Sequence, residues 1–319
     1  MTLVEEDKTI LLQEKSSAAI AVKNVLFATD FSATSESALP YALAICRRFG
    51  STLHAVHVLS DANMLMMTGG VDYVSMGTIY EDAHTEAKEK LERVATLFEG
   101  IPSRLYVRHG QVWVNLAGIV EENNVDLIVV GTHGRTGLGK LLLGSVAEDI
   151  LRHAPCPVLT VGPNVSGRAK LPALRGKNLA PVELELRQIV YATNLGPTSP
   201  ADAALAASLA KEFRARLTLI HVMQDFTGIG NRPGPIEEGL RRLKELVPED
   251  ADLQYAPETL LEFGDPAKRI VQEANDREAD LLVLGARAIH EMTGTTHLPW
   301  STAHQVIAHA TCPVLTVRG

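Results

Sequence analysis

Two hydrophobic patterns alternate along this chain. Short runs rich in Val, Ile and Leu, bounded by turn residues, are followed by longer stretches whose apolar residues recur at helical spacing. In the N-terminal part the runs fall at residues 24–29, 52–58, 103–107, 126–131 and 157–161. Between them, the stretch from Ser35 to Phe49 aligns Leu39, Leu43 and Cys46, and that from Tyr80 to Phe98 aligns Ala83, Ala87, Leu91, Val94 and Leu97. In the C-terminal part the predicted strands are 188–193, 216–222, 252–263, 280–285 and 313–317. Strands apolar on both faces and joined by helices predict an α/β fold of doubly wound parallel sheets.

The second part repeats the first. Val25-Leu26-Phe27-Ala28-Thr29-Asp30 aligns without gaps on Ile189-Val190-Tyr191-Ala192-Thr193-Asn194, and the same offset brings His57-Val58 onto His221-Val222. Further along, a second constant offset pairs His109-Gly110 with Phe263-Gly264, and Asp126-Leu127-Ile128-Val129-Val130-Gly131 with Asp280-Leu281-Leu282-Val283-Leu284-Gly285. Residues 162–186 are rich in Gly, Pro, Lys and Arg without periodicity, as in a linker. The expected organisation is an N-terminal extension (1–22), a first domain (23–162), a linker (163–186) and a second domain (187–319). A chain of 319 residues exceeds what one core commonly organises, which agrees with two domains.

Composition narrows the partners. The formal charge of −8 comes without a basic stripe, so nucleic acid is not an expected partner. Glu5, Glu6, Asp7 and Glu14 are the reverse of a secretory leader, and no apolar run approaches the roughly 20 residues that span a bilayer. The expectation is a cytoplasmic protein with no membrane partner. Of three cysteines, Cys156 and Cys312 precede Pro at the start of apolar runs and read as packing residues. The histidines predict no metal site: His54 and His57 fall on opposite faces of a strand, and Gly294 and Pro299 interrupt the spacing of His290, His297 and His304. Asn63 to Gly70, which includes Met64, Met66 and Met67, reads as a packing segment, with a nucleotide lid or a partner surface as alternatives.

Candidate chemistry gathers at two strand ends, because open parallel sheets bind ligands beyond the carboxyl ends of their strands. The first strand ends in Ala28-Thr29-Asp30, setting a carboxylate where it could accept from ribose hydroxyls. The fourth ends in Gly131-Thr132-His133-Gly134-Arg135, and Gly137, Gly139, Lys140 and Gly144-Ser145 follow. Glycines let backbone N–H groups turn toward an anion, and a helix opening at Ser145-Val146 offers its positive end. Gly134 to Lys140 also has the G-x4-G-K spacing of a P-loop, but Leu141 stands where a P-loop needs the Ser or Thr that holds Mg²⁺.

The spacing Gly131-x2-Gly134-x9-Gly144-Ser145 resembles the phosphate loop of the ATP-binding universal stress proteins, and the resemblance extends over both halves. It implies Rossmann-like (adenine nucleotide alpha hydrolase-like) domains, each a five-stranded parallel sheet flanked by helices. By that resemblance Asp30 would hold the ribose, with Ala28 and Thr29 beside it, and the Val58 main chain would recognise adenine. Gly131, Gly134, Gly144, Ser145 and Val146 would wrap the phosphates, with Thr132, His133 and Arg135 in the same loop. ATP is the implied ligand, with or without Mg²⁺. The resemblance also implies that the strands at 157–161 and 313–317 pair antiparallel, so that one chain imitates a dimer; a homodimer of chains is a further expectation.

The second half departs at each of these points. Asn194 replaces Asp30, Ala288 stands opposite Gly134, and Trp300-Ser301 replaces Gly144-Ser145 over a longer span. Trp300 obstructs phosphate approach and Pro299 stiffens the turn. This half is expected to be a structural or regulatory partner, with an apolar pocket around Phe226, Met292 and Trp300 as an alternative to a filled core. The leading function is a nucleotide-dependent stress and signalling regulator acting through an unidentified protein partner. Rivals are a slow ATP-hydrolysing or nucleotidyl-transferring enzyme, for which His133 is the one candidate base, and a ligand-free interaction protein.

Overall fold

The computed structural model describes residues 21–60, 73–132, 143–172, 183–224, 234–248, 251–285 and 298–317. The first half runs β1 (Asn24–Ala28), α1 (Ala33–Phe49), β2 (Thr52–Leu59), α2 (Tyr73–Ala95), β3 (Ser103–His109), α3 (Val112–Asn123), β4 (Leu127–Gly131), α4 (Ser145–His153) and β5 (Val158–Val161). The second runs β6 (Gln188–Ala192), α5 (Ser199–Phe213), β7 (Arg216–Met223), α6 (Gly234–Glu245), β8 (Glu258–Phe263), α7 (Pro266–Asp276), β9 (Leu281–Gly285), α8 (Leu298–His309) and β10 (Val314–Val317). Each expected strand is present. One starts later than its apolar run: β8 begins at Glu258 because Pro257 before it has no N–H to give to the ladder.

Local chemistry fixes the helix ends. Ser32 caps α1 by accepting from the Ser35 N–H, and Gly50 ends it in the left-handed region at φ 67°, donating to the Cys46 carbonyl. The two aspartates that precede β4 and β9 do matching work. Asp126 Oδ2 accepts from the main chain of Lys23 and Asn24 at 2.7 and 2.9 Å, and Asp280 Oδ2 from Arg187 and Gln188 at 2.8 and 3.0 Å. Each carboxylate staples the entry of one half to its own fourth strand.

All ten strands form one sheet in the order β3-β2-β1-β4-β5-β10-β9-β6-β7-β8. Pairing is parallel within each half and antiparallel at the centre, where Leu159 sits opposite Leu315. The terminal strands of the two halves therefore lose their free edges to each other, and β3 and β8 become the outer strands. Apolar residues of both halves pack into one core, from Phe27, Leu43 and Ile128 to Tyr191, Leu219 and Val283. Across the seam Thr160 Oγ1 donates to the Val314 carbonyl at 3.0 Å, and Arg48 bonds the Glu212 side chain and main chain while lying over Phe213. Cys46 and Cys312 are buried, Cys156 is half-buried, and burial pushes all three thiols up to about 12, as expected of packing residues. Among the described residues no helix is long and apolar enough to cross a membrane.

Candidate functional site

Sheet order in the first half reverses between β1 and β4, so the crevice beyond the carboxyl ends of these two strands is the topological switch point. The β1 end is a folded knot of side-chain and main-chain bonds. Thr29 donates its N–H to Val56 O at 3.0 Å, and its carbonyl accepts from His57 Nδ1 at 2.8 Å, which sets the proton of that imidazole on Nδ1. Thr29 Oγ1 accepts from the Phe31 N–H at 3.0 Å and lies 3.1 Å from Ser35 Oγ. Phe31 is thereby held at φ 61°, a region L-residues enter only under constraint, with its ring 4.5 Å from that of His57. Asp30 Oδ1 accepts from the Ser32 N–H at 2.9 Å in an Asx turn, leaving the half-buried carboxylate at the mouth of the crevice.

The β4 end meets the start of α1. A Cβ on Gly131 would stand 2.6 Å from the Thr34 carbonyl oxygen and 3.0 Å from Ser35 Cα, so a glycine is required there by packing alone. Thr132 is buried. Its N–H donates to Val161 O at 3.2 Å and its carbonyl accepts from the Gly144 N–H at 2.7 Å, which pins together the two ends of the intervening loop. His133, Gly134 and Arg135, with Gly137, Gly139 and Lys140, lie outside the described residues. Gly144 is the N-cap of α4 in an ordinary extended conformation (φ −64°, ψ 146°), followed by exposed Ser145 and Val146 in the first turn. Glu148, the acidic residue of that turn, is paired with Arg152 at 2.7 Å.

The third wall is β2. Its pairing with β1 stops at Ala28–Val56, whereas its pairing with β3 continues to Leu59. In a parallel ladder alternate residues face the same neighbour, so the Val58 main chain faces the β1 side one rung beyond the end of β1. A carboxylate acceptor, a strand edge past its last rung and the positive end of a helix thus surround one crevice.

The second half reproduces the knot. His221 Nδ1 donates to Thr193 O at 2.8 Å, Thr193 Oγ1 lies 2.7 Å from Ser199 Oγ, and Asn194 Oδ1 accepts from the Gly196 N–H at 2.8 Å, with Leu195 at φ 56°. Beneath the β9 end it differs. Asp202, where the first half has Ala38, is 1% exposed; its Oδ2 accepts from Thr198 Oγ1 at 3.2 Å, Oδ1 has no partner among the described residues, and burial raises its pKa to about 6. Pro299 and Trp300 belong to the first turn of α8 rather than to a preceding turn. The side chain of Trp300 lies outside the described residues, as do His290, His297, Phe226, Met292, Gly294, Ala288 and the segment 63–70.

Sequence reasoning brought Asp30, Val58, Gly131, Gly144, Ser145 and Val146 to one crevice, and the fold does gather them. It assigned Ala28, Thr29 and Thr132 to ligand contact; the described bonds also tie them into the protein, Ala28 by β pairing, Thr29 and Thr132 in the two strand-end clamps. It passed over Phe31, Ser35 and His57. The signal was present in the repeat, which pairs Thr29 with Thr193, Ser35 with Ser199 and His57 with His221. Among the described residues no three His, Cys, Asp or Glu side chains gather to hold a metal ion.

Known proteins resemble this chain in sequence and fold. The model of the universal stress protein family matches residues 21–162 and again 185–318. Universal stress protein A homolog 1 of Coxiella burnetii is 34% identical over 140 residues, 44% of this chain and 95% of its own length. A universal stress protein of Methanocaldococcus jannaschii is 30% identical over 139 residues, 44% of this chain and 81% of its own length. The crystal structure of a universal stress protein from Archaeoglobus fulgidus superimposes with a TM-score of 0.69 at 22% identity, covering 94% of this chain and 99% of that one. With both halves matched and joined strand to strand, the chain belongs to the universal stress protein family and carries the family's unit twice.

Proposed function

We propose that the first half binds one ATP at the crevice between β1 and β4 and that the chain acts as a nucleotide-dependent regulator, with the second half as its structural or regulatory partner. The observation that carries this is the difference between two strand ends that share one set of hydrogen bonds. Asn194 makes the same turn as Asp30, with acceptor distances of 2.8 and 2.9 Å, so the turn does not require a carboxylate. At Asp30 the first half carries a carboxylate where the second carries an amide, and a pair of vicinal hydroxyls is the chemistry that a strand-end carboxylate accepts. The Val58 main chain supplies the donor and acceptor for adenine, and the loop closing at Gly144 with the first turn of α4 supplies N–H groups for phosphates. Gly131 and Thr132 serve this site by holding β4 against α1 and β5.

Regulation requires that ATP bind two conformations unequally. The exposed first turn of α4 is the part of the crevice through which such a difference would reach a protein partner. Denaturing the purified protein, separating released nucleotide by chromatography and titrating ATP into the stripped chain tests the reading. One ATP per chain, bound more weakly on changing Asp30, is the expected result; two per chain would return the second half to the binding sites, and none would leave an interaction protein. ADP or AMP accumulating from added ATP would favour the enzyme.

A further inference from the structure

On one face of the sheet, where the two halves meet, lies a cavity of about 250 Å³. It is lined by residues that correspond in the two halves: Ile45 with Leu209 from α1 and α5, Phe49 with Phe213 from the ends of the same helices, and Leu159 with Leu315 from the central strand pair. The cavity therefore straddles the axis that relates the halves, distant from the crevice at the strand ends: α1 reaches the crevice with its first turn and the cavity with its last three.

The lining is apolar, and its polar groups are already committed. Tyr41 Oη donates to the Ala169 carbonyl and accepts from the Leu171 N–H, and Asp126 and Asp280 each accept two main-chain N–H groups. The space opens to solvent on one side, and water in its apolar inner part finds few protein hydrogen-bond partners there. The two carboxylates at the lining also disfavour an anion. An apolar cavity of about 150 Å³ takes a six-carbon ring, so this one accommodates about ten carbons.

We propose that the seam cavity is a second binding site, for one uncharged apolar molecule of about ten carbons such as a fused ring or a short aliphatic chain. The test is titration of the full chain with 1-fluoronaphthalene followed by 19F NMR, with thermal melts to verify folding. A single saturable site per chain is expected. Leu209→Trp fills the cavity from α5 and should weaken binding by about tenfold or more; Leu205→Phe, at a half-buried lining position, is the milder filling variant should the first not fold. Absence of saturable binding to the folded chain at the solubility limit would overturn the proposal, as would undiminished binding in both folded variants. Binding that appears only when residues 1–20 are removed would also overturn it and would give the cavity to the chain's own N-terminal residues, whose continuation at Ala21 forms part of the lining.

Discussion

Gly131 and Thr34 approach so closely that a single added methyl group would stand 2.6 Å from the Thr34 carbonyl oxygen. Both sides of that contact are main chain, so relief requires moving the start of α1 away from β4. Gly131→Ala is therefore expected to destabilise the chain by about 1–3 kcal/mol, read as a lowered melting temperature, and to weaken ATP binding because Asp30 and α4 are referenced to the same two elements. A melting temperature equal to that of the parent would show that the contact yields without cost.

Asp30→Asn separates the turn from the ligand. The Asn194 turn shows that an amide supports this backbone, so stability should stay within about 0.5 kcal/mol of the parent. ATP affinity should fall about ten- to a hundredfold, the value of a hydrogen bond to a charged acceptor. Calorimetric titration with ATP and with a 2′,3′-dideoxy analogue checks it: the parent should discriminate between the two and the variant should not.

Gly144→Trp copies the second half into the first. The backbone at Gly144 is extended (φ −64°, ψ 146°), a conformation open to any residue, so the substitution adds bulk without main-chain strain. Loss of ATP binding with an unchanged far-UV spectrum is expected; retained affinity would remove the α4 end of the crevice from the site.

Periodicity alone made the architecture legible, because strands buried on both faces and helices with one apolar stripe leave unambiguous patterns, and the repeat set the number of units. The candidate site was legible only where a residue type is chemically unusual for its place, as with the carboxylate of Asp30 at a strand end. What sequence could not separate was a glycine needed for packing from one needed for a ligand. Gly131 meets the main chain of Thr34, so packing alone fixes glycine there, whereas Gly285 meets only side-chain atoms, the Asp202 carboxylate first among them. Phe31, Ser35 and His57 escaped notice because their roles depend on contacts between separate elements, and no local pattern encodes those. Asp202 was invisible for a like reason: a carboxylate in an alanine-rich helix reads as solvent-exposed until the sheet covers it.

At the seam, Tyr41 joins α1 to the segment leading toward the second half. Its hydroxyl, buried, donates to Ala169 O and accepts from the Leu171 N–H at 3.0 Å. Tyr41→Phe leaves both main-chain groups without that partner, at a cost of about 2–4 kcal/mol. Because the affected groups lie in the connection, amide exchange should accelerate at Leu171 more than in β1 or β4; uniform acceleration would mean that the halves unfold as one unit.

Asp202 makes a prediction about pH. Burial with one unpartnered oxygen raises its pKa from 3.8 to about 6, so the folded chain holds the proton where the unfolded chain releases it. Between pH 4 and 6 the native state binds more protons than the unfolded state, and stability falls as pH rises through that window; above about pH 6 the penalty is fully developed and constant. Asp202→Asn keeps the shape and an oxygen for Thr198 while removing the titration. Its melting temperature should match the parent near pH 4, rise above it progressively to pH 6, and hold the difference to pH 8, with a plateau of up to about 3 kcal/mol. The domain that would not bind ATP thus carries, beneath the end of β9, a carboxyl group that keeps its proton up to about pH 6, where the first half has the methyl group of Ala38. A difference independent of pH would mean that the carboxylate is ionised in the fold, and so that a cation or donor reaches its second oxygen.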